Sequence, residues 1–222
     1  MVFIIVTRPL YLTFLIFYVI ILVQNKRGVD KLYSILAGIM ISLGCIINLQ
    51  VGGIGGALFF SLGLITILMF NFDLFTGRAG LIPTGQMTWK KLGLIWLGNL
   101  YGCVMVAAAM SLTPLGITLG ATAQAIVATR IANGVLANII LGGCCGILMY
   151  IGVNLFNKQN NPIYAIMPVA TFILSGFNHC VADMFYFAIA NAPWIVWLTL
   201  IPTTIGNLLG CCLVPTVQNW QK

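Results

Sequence analysis

One polar stretch, Gly176-Phe177-Asn178-His179-Cys180-Val181-Ala182-Asp183, lies inside an otherwise apolar run and carries the only histidine of the chain. The apolar segments beside it, Ile166 to Ser175 and Phe185 to Ala192, each fall short of the roughly 20 residues that a membrane-crossing helix needs. Together they reach that length. Hydrocarbon offers no partner to Asn, His or Asp, so at this depth such residues line a cavity or pair with one another. The stretch therefore reads as a functional site at a broken helix, the plainer alternative being a histidine satisfied within the packing.

A second interruption, Asn71-Phe72-Asp73-Leu74-Phe75-Thr76-Gly77-Arg78, follows the apolar run Gly53 to Phe70. Two broken spans in one chain are a mark of transporters and channels built from internal repeats. The short motifs Gly98-Asn99-Leu100-Tyr101-Gly102 and Gly206-Asn207-Leu208-Leu209-Gly210 fall in the third and sixth spans, as two halves of three spans each require. Halves with an odd number of spans insert in opposite directions. The expected fold is therefore an all-α integral membrane protein with six transmembrane helices, two of them broken, in an inverted 3+3 repeat. The spans expected are Leu32 to Leu49, Gly53 to Pro83, Leu92 to Leu112, Ile131 to Val153, Ile163 to Ala192 and Trp194 to Val214.

Composition supports this class and excludes others. The chain is 61% hydrophobic and 6% charged, whereas about a quarter of the residues of soluble domains are charged. The net charge of +7 comes from basic residues scattered at span ends, which is a topology signal and not a nucleic-acid-binding face. Lys26, Arg27, Lys31, Lys90, Lys91, Lys158 and Lys222 fall on one side of the six-span core, with Arg130 alone on the other. The positive-inside rule then puts both ends of the core in the cytoplasm of a multi-pass cell-membrane protein. The chain has no Glu, its only acidic residues are Asp30, Asp73 and Asp183, and its seven cysteines lack metal-ligand spacing. No catalytic constellation, metal site or cofactor is expected. Residues 1–26 form a separate hydrophobic segment before the domain of residues 27–222. An extra span, an interfacial helix and an uncleaved signal-like segment all fit it.

Several ordered blocks resemble the formate/nitrite transporters: Leu36-Ala37-Gly38, Phe60-Ser61-Leu62-Gly63-Leu64, Asp73-Leu74-Phe75-Thr76-Gly77, Gly98-Asn99-Leu100, Gly134-Val135-Leu136-Ala137-Asn138, Met167-Pro168-Val169-Ala170, Gly176-Phe177-Asn178-His179 and Ile201-Pro202-Thr203-Thr204-Ile205-Gly206-Asn207. The resemblance implies a homopentamer of aquaporin-like protomers in membrane lipid, passing a small monovalent weak-acid anion, formate or nitrite first. Hydrosulfide, short-chain carboxylates and, in another class, a neutral solute are the alternatives. It implies a substrate pathway at His179, Thr76, Asn178 and Asn138. An outer constriction falls on Phe60, Leu64 and Phe172, and a cytoplasmic one on Leu74, Phe75 and Leu141 together with Asn138. The anion would take a proton shared with His179 or with water and cross the apolar rings as the neutral acid.

Four positions depart from the family pattern. Thr122 stands where a vestibule lysine is usual, leaving Arg130 as the nearest basic residue, and Asn178, Asp183 and Arg78 replace the usual residue types beside the two breaks. A charge alone at this depth is costly, so Arg78 and Asp183, one at each break, are expected to form an ion pair, the alternatives being that Asp183 orients His179 four residues before it or that Arg78 attracts anions at the cytoplasmic vestibule.

Overall fold

The computed structural model describes residues 26–220, so the expectations for the N-terminal hydrophobic segment lie outside the described residues. The described chain is helical throughout: α1 (Lys26–Val51), α2 (Gly53–Met69), α3 (Phe75–Ala79), α4 (Trp89–Met110), α5 (Pro114–Gln159), α6 (Ile163–Leu174), α7 (Cys180–Ile189), α8 (Trp194–Trp197) and α9 (Leu200–Trp220). Long apolar helices able to cross a membrane are found in α1, α4, α5 and the α8–α9 stretch. The shorter apolar helices are α2, α6 and α7. At 1.5 Å per residue the 12 residues of α6 and the 10 of α7 reach about 18 and 15 Å, neither enough for the roughly 30 Å hydrocarbon core.

Sequence pattern explains how these helices pack. In α2 the buried residues Ala57, Phe60, Leu64 and Ile67 recur every three or four positions, so one face turns inward. Phe59, Leu62 and Met69 on the other faces are exposed and suited to lipid or a neighbouring subunit. By contrast α7 is buried almost all round, from Cys180 through Phe187, which makes it the most enclosed helix of the described chain. Several helix pairs approach so closely that only glycine fits. A Cβ on Gly38 of α1 would strike the carbonyl of Asn99 in α4, and one on Gly210 of α9 would strike the carbonyl of Gly143 in α5.

Both expected breaks form, and each is narrower than expected. The first runs from Phe70 to Leu74, with Asn71 at φ 54°, and helix resumes at Phe75. The second runs from Ser175 to His179, with Gly176 at φ 71°, and helix resumes at Cys180. Asp183 is therefore helical and not part of the break.

The fourth span differs most from expectation. Helix α5 begins at Pro114, seventeen residues before Ile131, and Gly134 (φ 68°, ψ −175°) divides it into two arms. Proline suits the first turn of a helix, where its missing N–H costs nothing, and Gly116, Leu119, Ala123, Val127 and Arg130 then bury one stripe at helical spacing. Small residues and an arginine make that stripe inconspicuous in the sequence.

Candidate functional site

Two buried asparagines hold the breaks open. Asn99 accepts the N–H of Phe75 on Oδ1 (2.9 Å), and its Nδ2 donates to the carbonyls of Asp73 (2.9 Å) and Ser34 (2.7 Å). Asn207 repeats the arrangement. Its Oδ1 accepts the N–H of Cys180 (2.8 Å), and its Nδ2 donates to the carbonyls of Asn178 and Gly142 (both 2.8 Å). Each asparagine thus satisfies the first N–H of a short helix and a carbonyl left over by the break before it, groups that lipid could not satisfy. The carbonyl on the long helix lies 65 residues upstream in both cases.

Cysteines repeat the pattern one turn later. Cys103 Sγ reaches the carbonyls of Gly38 and Val181 (both 3.4 Å), and Cys211 Sγ reaches those of Gly146 (3.3 Å) and Thr76 (3.2 Å). Cys103 thereby ties α4 to α7, and Cys211 ties α9 to α3. Trp96 Nε1 donates to Thr204 Oγ1 (3.2 Å), joining the two helices that carry the asparagines. The expectations did not assign Asn99 and Asn207 a role, although the doubled Gly-Asn-Leu motif was a visible signal for it.

The arrangement brings His179 and Thr76 together. Both are buried, at 1% exposure, and His179 Nε2 lies 2.9 Å from Thr76 Oγ1. His179 also caps α7, its Nδ1 accepting the N–H of Ala182 at 3.2 Å. A backbone N–H can only donate, so Nδ1 carries a lone pair and the proton of the neutral ring sits on Nε2. The ring donates to Thr76, whose own O–H has no other acceptor among the described residues. Phe172 stacks on the imidazole (centroids 5.5 Å, 23°) and meets Phe60 edge-on at 5.9 Å.

Two cavities lie near this centre. One of about 220 Å³ is lined by His179, Phe172, Arg130, Asn48 and Tyr186 among others. The second, about 30 Å³, is lined by Leu64, Leu74, Arg78 and Asn71 among others. Leu64, expected on the same constriction as Phe60 and Phe172, lines the cavity of Leu74. It lies one turn beyond Phe60 along α2, and that turn carries it toward the first break. Phe75 and Leu141 serve the breaks through their backbones: Phe75 donates to Asn99, and the Leu141 carbonyl accepts from Asn178 N–H at 3.4 Å. Asn138, 1% exposed, accepts from Asn178 Nδ2 (2.8 Å) and donates to the carbonyl of Arg130 (2.8 Å).

The expected pairing of Arg78 with Asp183 does not form. Arg78 Nε donates to Asp73 Oδ1 at 2.7 Å, and Arg130 Nε donates to both oxygens of Asp183 at 3.1 and 3.0 Å. Each charge is compensated on its own side of the centre. A residue five positions away is within reach of Arg78, and the unanticipated first arm of α5 delivers Arg130 to Asp183.

The family description formate/nitrite transporter matches residues 28–221. The chain belongs to the formate/nitrite transporter family. Membership places it among transporters and not enzymes, and its apolar helices make it a multi-pass membrane protein. Among relatives, the formate channel FocA of Escherichia coli (strain K12) is 29% identical over 210 residues, covering 74% of this chain and 72% of that protein. FocA of Haemophilus influenzae is 28% identical over 201 residues, covering 70% and 69%. Two solved structures share the fold. A pentameric formate channel with formate bound superposes with a TM-score of 0.73 at 24% identity over 86% of this chain and 95% of that chain. An ion channel of the same family superposes with a TM-score of 0.77 at 21% identity over 92% and 94%.

Proposed function

We propose that the chain passes small monovalent weak-acid anions, formate or nitrite foremost, through a pore in each protomer of a homopentamer. The His179–Thr76 hydrogen bond carries this reading: it joins the two broken helices, with His179 on the wall of one cavity and Gly77, beside Thr76, on the wall of the other. The relatives described as formate channels support the substrate, and the pentameric neighbour supports the assembly. The repeated bonding of Asn99 and Asn207 supports an inverted 3+3 arrangement of aquaporin-like form. Basic residues at span ends support cytoplasmic placement of both core ends.

In this mechanism an anion enters the cavity of His179 and meets a bank of donors: the Thr76 hydroxyl, backed by imidazole Nε2–H, and the N-terminal end of α7 with its positive dipole end. Phe60, Phe172, Leu64 and Leu74 form the apolar passage, which opposes a bare charge strongly and a neutral acid weakly. Protonation therefore accompanies passage. Of the two proton sources expected from the sequence, water fits the geometry better than His179. A second proton on the ring must go to Nδ1, which would break the cap and leave the buried Ala182 N–H unpaired. Asn178 and Asn138 hold the second break and shape the pathway through the backbone. The test is formate flux into proteoliposomes of the purified protein. Flux that rises steeply as pH falls from 8 to 5, with no comparable glycerol flux, supports the proposal; flux of a neutral solute that is insensitive to pH overturns it in favour of a neutral-solute channel.

A further inference from the structure

Arg130 stands one turn before the Gly134 kink, on the arm of α5 that leans over the second break. Its side chain is 9% exposed and that of its partner Asp183 is 1% exposed. The contact uses one nitrogen: Nε–H is shared between the two carboxylate oxygens. The two terminal nitrogens make no hydrogen bond among the described residues, while Arg130 lines the 220 Å³ cavity beside His179. A guanidinium anchored through Nε keeps its opposite edge free, and that edge holds two parallel N–H groups in one plane.

We propose that Arg130 is a shape-reading seat for planar anions bearing two oxygens, such as carboxylates and nitrite, and that Asp183 is its positioning residue. This rests on the reading of the chain as an anion pathway and adds to it a substrate class. Two parallel donors match the spacing of two oxygens on one centre, whereas a single-atom anion or hydrosulfide can use only part of the fork. The Arg130–Asp183 pair has no net charge, so its pull on an approaching anion is short in range and sensitive to geometry. A lysine at such a place offers a point charge and a different selectivity. The cavity has room for an anion with several waters, each needing about 10 to 15 Å³ on this measure. Arg78 provides the contrast. Its side chain is 32% exposed, its Nε holds Asp73, and one terminal nitrogen already leans toward the Asn71 carbonyl at 3.5 Å.

The experiment compares formate and hydrosulfide flux in proteoliposomes of the full chain for wild type, Arg130→Lys, Arg130→Gln/Asp183→Asn and Arg78→Lys. Arg130→Lys keeps the charge opposite Asp183 and removes the fork. It is expected to raise the half-saturating formate concentration about tenfold, the size of one charge-assisted hydrogen bond, and to change that for hydrosulfide less than about twofold. The double variant leaves no charge unpaired, and it is expected to keep the oligomer and lose formate selectivity as well. Arg78→Lys should leave the formate-to-hydrosulfide ratio unchanged. Equal shifts for both anions in Arg130→Lys would mean that charge alone matters, and wild-type formate saturation in the double variant would reduce the pair to a structural role; either overturns the proposal. A wild type that carries neither anion refutes the pathway itself, and so is distinct from failure of the seat in a wild type that conducts.

Discussion

Replacing Asn207 with leucine tests whether the second break is held as described. Leucine is close in size, so packing is largely kept while three hydrogen bonds of 2.8 Å vanish at a position with 0% exposure. The Cys180 N–H and the Asn178 carbonyl are then buried without partners, while the Gly142 carbonyl keeps only its bond within α5. At about 1–3 kcal/mol for each of these two unsatisfied groups the loss is about 2–6 kcal/mol. Hydrogen bonds within membrane proteins often contribute less, on average about 0.6 kcal/mol, which sets a floor of about 2 kcal/mol. With about 2–4 °C per kcal/mol for a chain of this size, even the floor lowers the unfolding midpoint by about 4–8 °C. The assay is thermal unfolding of the detergent-purified protein followed by size exclusion, with formate flux measured alongside. Asn99→Leu should match Asn207→Leu, since it removes the same three kinds of bond, while Asn48→Leu loses one 3.5 Å contact and should shift little. A midpoint within 2 °C of wild type for Asn207→Leu, with flux intact, would refute the view that this asparagine supports the break.

Thr76→Val should cut formate flux at least tenfold while Thr66→Val leaves it near wild type, because Thr66 only bonds back to its own helix at Leu62 whereas Thr76 meets His179; equal effects in stopped-flow assays would remove Thr76 from the pathway. His179→Asn should lower flux and yet keep its rise toward low pH if water is the proton source as proposed; a flat pH profile would return that role to the imidazole. Gly210→Ala places a methyl group against the Gly143 carbonyl and should cost more than about 2 kcal/mol, read as loss of monodisperse protein, whereas Gly93→Ala meets open space and should be tolerated.

What the sequence revealed depended on how local the cause was. The breaks are legible because polar residues inside an apolar run have few physical outcomes, and Gly176 sits where a positive φ is needed. Meeting of Thr76 and His179 came from the family pattern, not from spacing, since 103 residues separate them. The ion pairs were misjudged for a different reason. Charges at two breaks suggested one bridge between them, but partner choice is set by which side of the centre each side chain leaves, and that follows from helix direction. Arg78 had Asp73 at hand on its own short segment, and Asp183 had an arm of α5 above it that the apolar pattern did not announce.

The bonding around the two breaks is nearly the same, so the chemistry must come from where the breaks differ. Leu74 and His179 occupy the same place, each the residue before a short helix whose first N–H an asparagine accepts. Leu74 gives its helix no side-chain cap, whereas His179 caps Ala182 and turns Nε2 toward Thr76 of the other short helix. One break therefore contributes an apolar wall and a hydroxyl, and the other an imidazole fixed in a single tautomer. Capping is what fixes it: a histidine free at Nδ1 could present either nitrogen to Thr76, and the hydroxyl would then donate to the ring as readily as to a substrate. With Nδ1 engaged, the Thr76 proton is directed away from the ring. A polar centre between apolar walls can then donate to an anion at a fixed position without itself carrying charge, which keeps its own burial affordable in the absence of substrate.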